Sequence, residues 1–203
     1  MIDKATFDLL KPMPPFKKEL REANRENRKS QTRRVIKPQP VQDPDESWRI
    51  EMQPRSGYNS ERTMRNYLPD RCPYGKAGDL RYMREPLIRD GDFAYYIDDM
   101  TLVKSQLTNE SIKWRWVKDI LSQLYMPKEA VRTFKRYELI RVERLQEISN
   151  DEAKAEGVVF EYREYRNSFM ELWDSINAER GYEWDSNPWV WVIGYQSYEF
   201  GGA

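Results

Sequence analysis

Histidine is absent from the 203 residues, and cysteine occurs once, at Cys72. The first absence removes a histidine general base, a Ser-His-Asp or Cys-His pair and any His-ligated zinc. The second removes an intrachain disulfide and a multi-cysteine metal site. Catalysis by this chain therefore has to use Lys, Glu, Asp, Tyr, Ser or Thr, with no metal and no cofactor expected. Net charge is missing as well, with 34 Lys plus Arg against 34 Asp plus Glu, so any anion site must be a local patch. No apolar run approaches the roughly 20 residues that span a bilayer, and the first residues have no signal-peptide apolar region. The expectation is a soluble, cytoplasmic protein with no membrane partner.

What is present is polar but aromatic. Mean hydropathy is −0.93, yet 7 Trp, 13 Tyr and 7 Phe supply the large buried areas that a disordered chain lacks. The length suits a single domain over 1–203, long enough to bury a core.

One local patch exists. Residues 21–37 carry Arg21, Arg25, Arg28, Lys29, Arg33, Arg34 and Lys37 against only Glu22 and Glu26. Phe16, Leu20, Ala23 and Asn27 fall at helical spacing, which predicts a helix over about 16–27 with Lys29 following its C-terminal end, where a cation is favoured. Val35 and Ile36 then start a strand that Pro38 and Pro40 cut short. A solvated basic turn is the plain reading of such a run; presentation of Arg28, Lys29, Ser30, Thr32, Arg33 and Arg34 to an anionic ligand is the functional one.

Further along, 41–71 is polar and irregular, with turns at Asp43-Pro44-Asp45 and Ser56-Gly57, and reads as a long loop holding an isolated Trp48. A turn at Gly78-Asp79 enters a strand over Leu80–Arg84, which carries Tyr82 and ends next to the acid Glu85. Asp90-Gly91 signals a hairpin. Trp114, Val117, Ile120, Leu121 and Leu124 repeat at helical spacing and predict an amphipathic helix closed by Pro127. Thr133–Leu145 is the longest strand pattern. Ser149 and Glu152 form a capping box for a short helix that Gly157 ends. A longer helix follows over about 165–180, and then Trp189–Ile193, apolar on both faces and so a central strand.

Several of these strings resemble the ASCH family. Its Gly-Arg-Lys-Thr-x-Thr-x-Arg turn is similar to Asn27-Arg28-Lys29-Ser30-Gln31-Thr32-Arg33-Arg34, and its Cys-Pro-Tyr-Gly-x-x-Gly-Asp turn to Cys72–Asp79 with Arg84-Glu85 beyond it. Val142–Gly157 and Trp184–Ile193 are similar to later stretches of the phage-encoded type. The matching pieces, 27–40, 72–85, 126–157 and 169–195, cover roughly half of the chain in the family's order. The resemblance implies an α+β fold, a small PUA-like mixed β-barrel with packed helices, carrying long inserted loops at 41–71 and 98–125. It also implies RNA or a modified nucleoside as partner. Residues matching those of a family amidohydrolase that deacetylates N4-acetylcytidine fall on Lys29, Thr32 and Glu156; a ribonuclease is also known in the family.

Three function classes follow. The first is binding of RNA or a modified nucleoside by the Lys29–Arg34 turn, with Tyr82 and Glu85 at the groove. The second is hydrolysis of an amide or phosphodiester by Lys29, Thr32 and Glu156, where Lys29 loses basicity to its neighbouring arginines. A metal-dependent nuclease on Glu85, Asp98 and Asp99 is a weaker variant of it. The third is an interaction protein that docks a host factor, for example one of a defence system, through 41–71 and 98–125.

Overall fold

The computed structural model describes residues 2–50, 57–160 and 164–200. In chain order the described elements are α1 (Lys4–Leu9), β1 (Lys11–Pro12), α2 (Lys18–Arg25), β2 (Gln31–Val35), β3 (Pro40–Gln42), β4 (Trp48–Ile50), α3 (Glu61–Tyr67) and β5 (Leu80–Tyr82). They continue with β6 (Leu87–Asp90), β7 (Phe93–Tyr96), β8 (Ile120–Leu121), β9 (Phe134–Arg144), α4 (Asn150–Ala155), α5 (Tyr165–Asn177) and β10 (Trp189–Ser197).

The strands form three open sheets, ordered β1-β5-β9-β10-β2, β3-β4 and β7-β6-β8. The α+β class stands, but the closed PUA-like barrel expected from the family resemblance does not form. Its edges explain why. β1 is two residues long and runs into Pro12, Pro14 and Pro15, which have no N–H to donate to a further strand. β2 stops at Val35, and beyond it the side chain of Gln39 takes over the ladder. Its amide donates to the carbonyls of Ile36 and Trp189 at 2.6 and 3.0 Å and accepts from Trp189 N–H at 2.7 Å. The side chain thereby finishes the seam between β2 and β10 beyond the end of the strand.

By contacts the chain forms two compact units, Met1–Glu26 with Asp79–Arg136 and Gln196–Ala203, and Asn27–Gly78 with Tyr137–Tyr195. The first has a core of Phe7, Leu10, Tyr82, Leu87, Tyr96, Val103, Met126 and Phe134. The second packs α4 and α5 on one face of β10 through Leu145, Ile148, Ala153, Phe169, Trp173, Val190 and Val192. The apolar residues of β10 are buried on both faces, between β9 and β2, as the Trp189–Ile193 run requires.

Two further expectations are corrected. Residues 114–125 are not a helix. Lys113 bridges Phe93, Trp114 N–H donates to the Asp92 carbonyl at 2.8 Å, and Ile120 and Leu121 pair with Ile88 and Leu87. Of the supposed helical stripe only Leu121 is buried, while Val117, Ile120 and Leu124 face outward. Pairing with β6 overrides a periodicity that five residues happened to satisfy. The described residues of 41–71 are not one loop either: β3 and β4 form a hairpin around Asp43–Ser47, and α3 starts at a Ser60 cap. Trp48 is buried, its ring edge-on to Trp189 at 5.3 Å. The expected Ser56-Gly57 turn begins outside the described residues.

After α2, Asn27 stands at φ 59°, in the left-handed region that favours glycine. Asparagine tolerates that geometry and alanine does not. Asn27→Ala is therefore expected to lower the unfolding free energy by about 1 kcal/mol, read as a shift of the urea midpoint at unchanged slope.

Candidate functional site

The turn that follows Asn27 is pinned on both sides by its own backbone. Ser30 N–H donates to the Ala155 carbonyl at the end of α4 (2.9 Å), and the Ser30 carbonyl accepts from Tyr195 N–H of β10 (2.8 Å). Lys29 is thereby aimed at the last turn of α4, whose free carbonyls favour a cation. Its ammonium donates to the backbone carbonyl of Glu156 at 2.7 Å and to the Glu156 carboxylate at 2.7 Å. Gly157, at φ 80°, turns the chain away directly afterwards. Lys29 is 1 % exposed and Glu156 3 %.

Arg33 extends the pair into a network. Its fork donates to Glu143 from Nε (2.9 Å) and Nη2 (2.5 Å), to Glu152 (3.1 Å) and, from Nη1, to Glu156 (3.2 Å). Arg141 bridges Glu143 and Glu152 from the other side. Lys29, Arg33 and Arg141 thus balance Glu143, Glu152 and Glu156. The Arg33 guanidinium also lies 5.9 Å from the centre of the Phe169 ring.

Burial holds the Lys29 amine below the ordinary lysine range; Glu156 opposes that shift, and Arg34 and Arg33 add to it. The neighbouring arginines, taken from the sequence as the main cause, are the lesser one. Burial likewise lowers the half-buried Arg34, with Tyr74, Glu156, Tyr195 and Tyr137 opposing.

Of the candidate residues, Lys29 and Glu156 meet directly. Thr32 is buried on β2, opposite Ile193. Its hydroxyl is joined to neither of them by a hydrogen bond among the described residues. Arg33 faces carboxylates rather than solvent, whereas Arg28 and Ser30 are exposed. Tyr82 and Glu85 belong to the other unit. Burial raises the Tyr82 phenol.

Glu85, 1 % exposed, accepts from Arg25 at 2.6 Å and from Arg132 at 2.8 and 2.9 Å. Asp98 takes Arg21 at 2.7 Å and Arg25 at 3.1 Å, and Asp99 takes Arg132 at 2.7 Å. The three carboxylates that a metal nuclease would need do converge, but around arginines. Among the described residues no group of three or more His, Cys, Asp or Glu is placed to hold a metal ion. The basic run of 21–37 is therefore not one phosphate-facing surface: Arg21, Arg25, Lys29 and Arg33 each point to an acid distant in sequence.

Sequence reasoning missed Glu143, Glu152 and Arg141 as members of the network. A signal was available, since Arg141 and Glu143 are two apart on a strand and so share a face. Glu152 was read only as a capping residue, and one of its carboxylate oxygens, Oε2, serves both Ser149 N–H (3.0 Å) and Arg33 (3.1 Å).

The chain matches no protein-family model, no curated protein and no solved structure. The resemblance to the phage-encoded ASCH type rests on its motifs alone. No helix of the described residues is long and apolar enough to cross a membrane.

These networks set an acid limit on stability. Burial works to raise Asp98, Asp99 and Glu152; arginine partners together with Thr101 and Ser149 outweigh it and leave the aspartates below 3.8 and the glutamate below 4.5. A carboxyl with a lowered folded value contributes fully above its unfolded value and loses that contribution as pH falls through the folded one. The urea midpoint is expected to begin falling near pH 4.5 and to keep falling below 3.8. A midpoint level from about pH 5 to 3 would contradict this.

Proposed function

We propose that the Lys29 turn and the end of α4 form a site that recognises a modified nucleoside, alone or in RNA, and hydrolyses an amide on it, with the N-acylated cytidine class as substrate. The observation that carries the reading is the 2.7 Å contact between Lys29 and Glu156, both withdrawn from water. A lysine amine made less basic by burial is unprotonated at a lower pH than an ordinary lysine, and only the unprotonated amine can act as a general base. In the proposed reaction the proton shared by the Lys29–Glu156 pair rests on Glu156, and neutral Lys29 takes the proton of the Thr32 hydroxyl as that oxygen bonds to the amide carbon. Glu156 passes a proton to the departing amine, and Arg34 offsets charge on the carbonyl oxygen. Water then releases the acyl group and restores Thr32.

The test is mass analysis of the nucleoside after incubation with N4-acetylcytidine. Cytidine is expected from the parent protein and not from Lys29→Ala. Should Lys29→Ala fail to fold, the isosteric Glu156→Gln replaces it, with turnover reduced by about 10²- to 10⁴-fold. Unchanged turnover in a folded Lys29→Ala would remove the mechanism. Absence of turnover in the parent would leave binding alone, which is read from RNA or nucleoside affinity that weakens steeply with salt.

A further inference from the structure

Apart from the Lys29 network, the second unit holds a hollow on the other face of β10. Side chains alternate along a strand, so Val190 and Val192 go to the face covered by α4 and α5, and Trp191 to the opposite one. There Trp191 shares a cavity with Ile36, Ile50 and Leu68. Ile36 continues the β2 ladder by donating its N–H to the Trp189 carbonyl at 3.0 Å, Ile50 ends β4, and Leu68 opens the turn Leu68–Arg71 that follows α3. All four side chains are buried, yet they border a cavity of about 150 Å³. Well-packed interiors leave few voids larger than a water molecule, and an apolar hollow of this volume accommodates one six-membered hydrocarbon ring. Lys37 and Arg71, both exposed, stand at its mouth, and no residue lining it is acidic. Among the described residues Lys37 has no ion pair, and its ammonium lies 4.8 Å from the centre of the Tyr182 ring.

We infer that this cavity binds a small aromatic carboxylate, a single hydrocarbon ring carrying one short carboxylate arm. The ring enters the floor formed by Ile36, Ile50, Leu68 and Trp191, which withdraws apolar surface on both sides from water, and the indole gives it an aromatic partner. The carboxylate stays at the mouth, in water, beside Lys37 and Arg71. At an exposed site each cation contributes little, so the ring supplies most of the affinity and the charge supplies the preference for an anion over a neutral ring. A pyrimidine nucleotide offers a similar ring and the same sign of charge. Its base edge, however, carries donors and acceptors, against which the four floor side chains present at most the Trp191 indole N–H, and polar groups buried without partners cost binding. The cavity is therefore assigned a ligand of its own, separate from the nucleoside proposed for the Lys29 turn.

The probe is phenylacetate, titrated into the full chain while the indole N–H signals are followed by two-dimensional proton–nitrogen NMR. Of the 7 Trp only Trp191 lines the cavity. Its signal is expected to shift saturably, with a midpoint between about 0.1 and 10 mM. Phenylacetamide, of the same shape but neutral, should need about 5-fold more, and Lys37→Glu, a change at an exposed position, should raise the phenylacetate midpoint about 10-fold. Four results would each overturn the inference. They are no saturable shift of the Trp191 signal up to about 10 mM, equal midpoints for phenylacetate and phenylacetamide, a midpoint unchanged in Lys37→Glu, and a lower midpoint for uridine 5′-monophosphate than for phenylacetate. Lys37 and Trp191 have no part in the Lys29 network, so failure here and failure of the deacylation assay are independent results.

Discussion

Replacing Arg33 by methionine is expected to lower the unfolding free energy by about 3–5 kcal/mol. The side chain is fully buried, and among the described residues its removal leaves Glu143, Glu152 and Glu156 with ion pairs to Lys29 and Arg141 and none to Arg33. A carboxylate kept in the interior without its cation costs far more than the pair itself contributed. The same argument predicts a recovery. Arg33→Met combined with Glu143→Leu removes one charge of each sign, and the double variant is expected to regain at least half of the loss. Urea unfolding of the two variants and the parent measures both effects. A single-variant loss under about 1 kcal/mol, the range of exposed pairs, would mean that the network is not the closed charge balance its geometry describes.

The second large effect is expected from Trp189→Ala, about 3–5 kcal/mol. Trp189 is 0 % exposed, at the start of β10, with Trp48 edge-on at 5.3 Å and the guanidinium groups of Arg144 and Arg65 at 4.4 and 4.8 Å from its ring. The cation contacts contribute about 0.5–1 kcal/mol each, so the cavity left by the indole dominates the loss. Arg65→Ala separates the two contributions. That side chain is half-buried and pairs with Glu61 and Glu147 at 2.7 and 2.6 Å, and its removal is expected to cost about 1 kcal/mol or less. Comparable losses for Arg65→Ala and Trp189→Ala would show that the ring is held by charge rather than by packing.

Elements whose cause lies within a few residues were legible in the sequence. The Ser149–Glu152 capping box is present with both of its bonds, the Asp90-Gly91 hairpin forms with Gly91 at φ 57°, and α5 ends in a turn that stops at Gly181, φ 76°. Trp189–Ile193 announced a central strand because a short apolar run of Trp, Val and Ile entered from a proline turn suits a strand buried on both faces. Elements decided by distant partners were not legible. The Trp114–Leu124 stripe satisfied a helical period, and only the presence of β6 makes it extended. The barrel failed for a similar reason: Pro38 and Pro40 were visible as strand breakers, but not which edges of β1 and β2 would be left without a neighbour. Charge was the hardest to read. Lys29 and Arg33 look solvated until Glu156 and Glu143 are brought to them, and no local pattern reports that.

The partners of this network enter the chain in a fixed order. Arg33 is made 110 residues before Glu143, and Lys29 127 residues before Glu156. At about 5–20 residues per second, Lys29 and Arg33 wait about 6–25 s on the ribosome before Glu143 and Glu156 are made. Through that interval the nascent protein carries these two cations without their carboxylates in the company of ribosomal RNA, and the second unit cannot bury its charges until Glu156 has emerged. Neutrality here belongs to the finished chain, and a shortened one that ends before β9 would be expected to associate with nucleic acid whether or not the complete protein does.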